Sequence, residues 1–430
     1  MSQRTFLQAL GPGLLFAGAA VGVSHLVQST RAGATYGLGL ILLVLLANVL
    51  KYPAFSFGPR YAAATGTSLL EGYRRQGMAA LGLYAVLTLG TMFTVQAAVV
   101  AVTAGLFGAL SPVAIPSIEA GAIVVPPFVV TSACLIAVCT VLVAVGGYRW
   151  LDRIMKVVVV VLTISTLAAT LIALPQLDAD SLRPWPTASD WNLQTAFFAA
   201  GLMGWMPSAI DISVWHSLWT VARRRDTGVA PSVRDARLDF DIGYIGTAIL
   251  AVCFLLMGAS VMHGSGTEFA DSAGGFAAQI IGLYTSTLGE WAGPVVSVTA
   301  FTVMFSTTLT VVDGFARAFS VLVARFRGPE RNGEMDGDRR AYWATLAILA
   351  VGSLAILQFY VAGLKALVDL ATTLSFLTAP ILAWMNHRAI LSDAVAPGDR
   401  PGPALQRFSL ASIAFLGLLA LGWMVVRFVL

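Results

Sequence analysis

Along its length the chain alternates long apolar stretches with short polar ones. A helix needs about 20 apolar residues to cross the hydrocarbon core of a bilayer. Charge-poor runs of that order fall near 7–28, 36–59, 79–109, 123–147, 155–175, 192–221, 242–263, 291–315, 341–361, 366–387 and 408–428. They are continuously apolar and do not alternate with period two, so they predict helices and not barrel strands. Eleven transmembrane helices are expected. The weaker stretch 272–289 reads as a helix lying on a loop, with a twelfth span as the alternative.

Composition excludes most other classes. Of 430 residues, 57% are hydrophobic and 11% charged, and the mean hydropathy is +0.81. A soluble domain carries about 25% charged residues. Disorder, collagen-like repeats and a disulfide scaffold are excluded on the same grounds. Cys134, Cys139 and Cys253 sit in apolar runs and read as small core residues. A net charge of +4 does not suggest a nucleic-acid partner.

The distribution of charge is more telling. Arg74 and Arg75 follow the second run; Arg149, Arg153 and Lys156 separate the fourth and fifth. Arg223, Arg224, Arg225, Arg234 and Arg237 follow the sixth, and Arg325, Arg327, Arg331, Arg339 and Arg340 the eighth. Arg388, Arg400 and Arg407 follow the tenth. The alternate connections carry acids: Glu119, Asp178, Asp180, Asp190, Glu268 and Asp271. Basic connections stay inside, which predicts a multi-pass protein of the cytoplasmic membrane with its N-terminus inside and its C-terminus outside. Arg4, the apolar run and Ala17-Gly18-Ala19 have the outline of a signal peptide. The Gly11-Pro12-Gly13 break argues against one, and cleavage would invert the charge pattern. The longest polar connection is Gly328–Arg340.

Two runs are interrupted. The first carries Gly18, Gly22, Ser24 and His25 in its middle; the sixth carries Gly201, Gly204, Pro207, Ser208 and Asp211. Five spans separate them, as expected of two inverted five-helix halves (about 7–175 and 192–387) plus an extra helix, 408–428. Broken helices at matching places in two halves mark a transporter's substrate site. A break frees carbonyl and N–H groups that must find partners, and lining a polar cavity is the usual solution. The carbonyls suit a cation, the N–H groups an anion or dipole.

Asp211, near mid-span, is the sharpest candidate, because an unpaired carboxylate at membrane depth costs several kcal/mol. Its partner is a substrate cation, a proton, or Lys51. Lys51 either snorkels to the inner interface with Arg60, pairs with Asp211, or faces the cavity in place of a coupling ion. His25 reads as a metal ligand, a proton relay or a satisfied core histidine, and His216 as a marker of proton exit. His263, at a boundary, is discounted. Met206 before the proline is a core residue or a soft metal ligand. Hydroxyls and acids of later runs, Ser306, Thr307, Thr308, Thr310, Asp313, Asp369, Thr372, Thr373 and Ser375, with Thr94 and Gln96, are second-rank pathway candidates. No phosphate-cradling glycine loop, HExxH or CxxC is present, so an enzyme or ATP-driven pump is not expected, and no cofactor is implied.

GPGLLFAG at 11–18, RAGATYGLGL at 31–40, Ala47-Asn48-Val49, Arg60, Ala64-Thr65-Gly66, YRWLD at 148–152 and Met206-Pro207 together resemble the Nramp family of proton-coupled divalent-metal transporters. The resemblance spans nearly the whole chain and implies an all-α, LeuT-type fold. It also implies a metal site on the two broken helices, and here the chain departs from the pattern. Where the family has Asp-Pro-Gly-Asn, this sequence has Gly22-Val23-Ser24-His25, and the family's Met-Pro-His is Met206-Pro207-Ser208. The acidic pair of the third helix is absent. Two substrates therefore remain open. One is a transition metal held by a rebuilt set of His25, Met206 and Asp211. The other is a monovalent cation or organic amine held by Asp211. Gly22, Ser24 and Ser208 would add backbone or hydroxyl oxygens, and Lys51, His216, Thr307 and Asp369 would serve coupling or the pathway. The expected partners are membrane lipid and a small ion or molecule. A non-transporting membrane sensor on the same scaffold is the different-class alternative.

Overall fold

The computed structural model describes residues 11–111, 115–121, 123–177, 182–187, 191–265, 269–330, 337–360 and 363–428. Arg4, Asp178, Asp180, Asp190, Glu268 and Arg331 lie outside them, as do the side chains of Arg149, Arg153 and Lys156.

Nearly every element is helical. The first run is α1 (Pro12–Ala20), a π-helical stretch (Ser24–Ser29) and α2 (Thr30–Tyr36), with a 46° bend at the break. Then come α3 (Ile41–Thr65), the short α4 (Leu69–Gln76) and α5 (Met78–Leu110). A small antiparallel hairpin, β1 (Ile118–Ala120) and β2 (Ile123–Val125), pairs Ile118 with Val125 and precedes α6 (Pro127–Ala173). The sixth run is α7 (Leu193–Trp205) and α8 (Ile212–Thr227), separated by residues 206–211. The rest are α9 (Val233–Val261), α10 (Ala273–Leu288), α11 (Ala292–Arg327), α12 (Arg339–Phe359), α13 (Leu364–Ile390) and α14 (Pro403–Phe428). Polar residues before the apolar runs start several of these helices. Asn192, Ser232, Ser272 and Asp338 each accept an N–H of the first turn of α7, α9, α10 and α12.

Among the described residues, eight helices are long and apolar enough to cross a membrane, and the bent first pair makes a ninth. That is fewer than the eleven expected; the runs coincide with helices, the first and sixth with broken ones, and they differ in detail. Residues 123–125 are strand, so the fourth run begins at Pro127. The fourth and fifth runs share one helix of 47 residues, about 70 Å if straight. Charge marked where the chain leaves an apolar environment, not where helical hydrogen bonding ends, since Arg, Lys and Leu are good helix formers. The stretch 272–289 is a helix of 16 residues, about 24 Å long and short of a roughly 30 Å core. Cys134 is exposed, against its expected core position, whereas Cys139 and Cys253 are buried.

Basic connections gather at one end of the bundle. There Glu71 of α4 meets Arg75 at 3.3 Å and Arg325 of α11 at 3.7 Å, and Glu330 accepts from Ser68 Oγ at 2.8 Å. Gln76 donates to the Met385 carbonyl near the end of α13. At the other end Arg31 pairs with Asp369, Lys365 with Asp271, and Tyr36 bonds Thr195.

The broken first span is mounted on α9 through small residues, as close packing of membrane helices requires. A Cβ on Gly13 would lie 1.9 Å from the Asp239 carbonyl oxygen, and one on Gly243 would lie 2.1 Å from the Gly13 oxygen. At the far end, a Cβ on Gly33 would meet Leu255 O at 2.0 Å and one on Gly258 would meet Thr30 O at 2.3 Å. Asp239 also accepts from the Gly11 and Gly13 N–H groups at 3.1 and 2.6 Å, capping α1. Gly258→Leu should therefore cost about 3 kcal/mol, because the obstructing atoms are backbone. Gly246→Ala, where nothing lies within 4 Å, should be near neutral. Thermal midpoints of the two purified variants in detergent check this.

Candidate functional site

The two breaks face one another across a small pocket of about 30 Å³, room for one water-sized occupant. Ser24 from the first break, Ser208 and Asp211 from the second, and Thr307 from α11 line it, with Trp205, Trp215 and Phe315 as aromatic walls. The structure thus brings together four of the residues expected at the site. The aromatic walls escaped the sequence reading, since a Trp on an apolar helix looks like any core residue.

Each break is satisfied locally. At the first, the Thr307 hydroxyl lies 3.0 Å from Gly18 O and 3.3 Å from Val21 O, and Gly22 leaves the room for it: a Cβ there would be 2.8 Å from Thr307 Cγ2. Thr307 is thus a helix-break partner and not a free pathway hydroxyl. Ser24 Oγ lies 2.6 Å from the Ala20 carbonyl oxygen and shares its one proton between that oxygen and the His25 ring.

His25 does not face the pocket. Its Nε2 is 2.9 Å from the Thr247 carbonyl, which can only accept, so Nε2 carries a proton. Its Nδ1 is 2.7 Å from Ser24 Oγ. Both ring nitrogens are engaged, and His25 pins the first break to α9 as a satisfied core histidine. Met206 is likewise turned away. It is fully buried in an apolar cluster with Leu43, Val44, Leu255 and Phe376. The rebuilt metal set of His25, Met206 and Asp211 is therefore not assembled in this conformation. Among the described residues, no group of three or more His, Cys, Asp or Glu is placed to hold a metal.

At the second break the cation is part of the chain. Lys51 Nζ, fully buried, donates to Gly204 O at 2.7 Å and Ser208 O at 3.1 Å. These carbonyls flank the interruption between α7 and α8. Lys51 neither snorkels to an interface nor, among the described residues, pairs with Asp211; it occupies the place a bound cation would take.

Asp211 stands just before α8 and is 3% exposed. Thr88 Oγ1 of α5 is 3.4 Å from its Oδ1, and among the described residues it forms no ion pair. It is the single ionisable side chain among the described lining residues. Trp215 is locked over Gly314, where a Cβ would sit 2.6 Å from the indole, and its ring stands edge-on to Phe315 at 4.8 Å.

Other candidates fall elsewhere. His216 is buried between Phe16 and Phe240, both at 5.7 Å, and neither ring nitrogen has a hydrogen-bond partner. Asp369 pairs with Arg31 at 2.7 Å, beneath an open cavity at the end of the bundle opposite the basic connections. Ser306, Thr308 and Thr310 bond to carbonyls of their own helix, and Asp313 holds Arg317 at 2.7 Å. Ser375 accepts from Trp205 Nε1 at 2.7 Å. Gln96 is buried with neither amide atom partnered.

Residues 13–426 match the profile of the natural resistance-associated macrophage protein-like family. An uncharacterised protein of Pasteurella multocida is 37% identical over 386 residues, covering 89% of this chain and 85% of that protein. A manganese transporter of Eremococcus coleocola, solved with an aromatic bis-isothiourea compound, superposes with a TM-score of 0.69 at 14% identity, over 97% of this chain and 86% of that one. MhsT in complex with L-phenylalanine superposes at 0.64 and 16% identity, over 100% of this chain and 99% of that one. These two likenesses establish the LeuT-type fold.

Lys51→Met should lower stability by about 2–5 kcal/mol, since it leaves two buried carbonyls without a donor. Adding Asp211→Asn should not restore it, because the two side chains are not a pair. Denaturation of the single and double variants in detergent checks this; rescue would identify a structural Lys51–Asp211 pair.

Proposed function

The chain belongs to the Nramp family of membrane transporters, and we propose that within it this protein is a secondary transporter of a small monovalent cation. A protonated organic amine or an alkali-type ion would be taken up between the two broken spans, with Asp211 as its counter-ion. The observation that carries this reading is the charge of the site. Asp211 supplies one negative charge to the pocket, and Lys51 already holds the Gly204 and Ser208 carbonyls. A dication there would leave a buried positive charge uncompensated, at a cost of several kcal/mol. A monovalent cation is neutralised by one carboxylate and is attracted to the faces of Trp215 and Phe315. The pocket, about 30 Å³, takes an ion stripped of water as it stands, whereas an organic amine needs it to widen.

Transport is driven by ion gradients, with the proton as the coupling ion. One carboxylate neutralises one positive charge, so proton and substrate would occupy Asp211 in turn. The basic connections meeting at one end of the bundle support the orientation with the N-terminus inside and the C-terminus outside. The two inverted halves and the extra helix α14 follow from the same reading.

A divalent transition metal is the second reading. The fold neighbour from E. coleocola is a manganese transporter, and Met206-Pro207 stays at the break. In that case the 206–211 segment would rotate to bring the Met206 thioether beside Asp211. Calorimetric titration of the purified protein with methylammonium and, separately, with Mn²⁺, Cd²⁺ and Zn²⁺ separates the two. The monovalent reading expects heat with methylammonium and a loss of at least about 30-fold in affinity in Asp211→Asn, with Met206→Ala unchanged. Micromolar metal binding that weakens in Met206→Ala would install the metal reading instead.

A further inference from the structure

A second cavity, of about 490 Å³, lies on the outside of the bundle between α3 and α9, with Phe408 of α14 at its edge. Leu45 and Val49 of α3 and Ile245 and Ile249 of α9 line it, and each of the four is between 42% and 55% exposed. The cavity is therefore a groove open to lipid. Tyr244 is buried at its base, where its hydroxyl donates to Asn48 O at 2.6 Å and its ring lies 5.7 Å from that of Phe16 in α1.

The groove has a definite depth in the bilayer. α9 starts at Val233, at the end where the basic connections meet. Its lining residues, from Tyr244 to Cys253, rise about 14 Å, roughly one leaflet of a 30 Å hydrocarbon core. Arg237, Asp241, Ile245 and Ile249 recur every four residues, so the groove runs down one helix face to a charged rim. At that rim Tyr52 donates to Asp241 Oδ1 at 2.7 Å, and Arg237 Nε is 3.3 Å from Asp241 Oδ2.

Arg60 stands about two turns below Tyr52 on α3, within electrostatic reach of Tyr52, Asp241 and Arg237. It is 8% exposed, and its Nε and Nη1 are buried without a hydrogen-bond partner. Asp241 is already taken by Tyr52 and Arg237, and among the described residues no carboxylate forms an ion pair with Arg60. Buried charges are normally paired, so this guanidinium lacks an anion that the chain does not supply.

We propose that the groove binds one anionic phospholipid from the leaflet at the basic end, with an acyl chain between α3 and α9 and the phosphate on Arg60. Arginine matches the fork of a phosphate, and basic pockets between membrane helices on the cytoplasmic side take anionic headgroups. The net charge of the headgroup decides the class of lipid. Two arginines stand against one aspartate at the rim, and Arg407, beside Phe408, is exposed. A zwitterionic headgroup adds a further cation there, whereas an anionic one balances the excess. A bound chain joins α3, which carries Lys51, to α9, on which the first span is mounted. None of these residues lines the pocket between the broken spans, so the lipid site stands or falls apart from the transported substrate.

Native mass spectrometry of the full-length protein, delipidated in detergent and titrated with dioleoyl phosphatidylglycerol or dioleoyl phosphatidylcholine, counts bound lipids one at a time. One phosphatidylglycerol should bind about tenfold more tightly than phosphatidylcholine. Arg60→Gln should remove that preference while leaving phosphatidylcholine binding as it was. Ile249→Trp fills the groove from its exposed wall without touching a charge, and should weaken both lipids. Because Ile249 is half exposed, this variant decides the matter even if Arg60→Gln does not fold. Equal affinity for the two lipids, a preference kept in folded Arg60→Gln, or phosphatidylglycerol binding unchanged in Ile249→Trp would overturn the site. So would lipid-free dimers, the outcome expected if a second copy of the chain covers the groove.

Discussion

Every feature of the site depends on how the interruption of the sixth span is satisfied. Opening a helix at membrane depth exposes carbonyls that water cannot reach, and each costs free energy comparable to a lost hydrogen bond. Here the ammonium of Lys51 takes the Gly204 and Ser208 carbonyls from the neighbouring α3. A cation attached to the chain does what a free ion would otherwise do, and it does so in every state in which α3 stays against α7. With those carbonyls taken, Asp211 is the one ionisable side chain that the described pocket lining presents.

The first span solves the same problem differently. From α11 the single Thr307 hydroxyl proton is shared among the Gly18 and Val21 carbonyls and its own Val303 carbonyl, and Gly22 leaves room for its approach. His25 then fastens the break to α9 at Thr247, between the glycine contacts at Gly243 and Gly258. The outcome is a span whose two halves and hinge are each tied to one helix, α9. Packing of this kind is bistable and not continuously deformable, so α9 is the element against which the halves of the first span would shift.

The two ends of the bundle are built unlike one another. One carries the Glu71, Arg325 and Glu330 cluster. The other carries Arg31, bound to Asp369 and stacked 4.6 Å over Phe198, at the floor of a wide polar cavity. The first end holds a buried cluster of charges, the second one ion pair at an open cavity. The pocket between the broken spans lies between these two closures.

The amino-acid sequence alone determined the solvent, the class and the position of the two helix breaks. Long charge-free runs permit only helices in lipid, because every backbone group must be bonded within its own segment. Gly22, Pro207 and their polar neighbours located both breaks, since few residues interrupt a helix and fewer do so with hydroxyls and a carboxylate. What the tertiary structure decided was direction. His25, Met206 and Asp211 all lie at the breaks, yet a break has no fixed helical phase, so spacing does not say which of them faces the cavity. Asp211 does, while His25 turns to Thr247 and Met206 to the Leu43 and Phe376 cluster. Lys51 is the clearest case: its sequence allowed an interface, an ion pair or an ion site, because a four-carbon stem reaches any of them. Only the packing of α3 against α7 selected the carbonyls. The fused fourth and fifth runs follow the same rule: apolar pattern reports what surrounds a helix, and backbone hydrogen bonds decide where it ends.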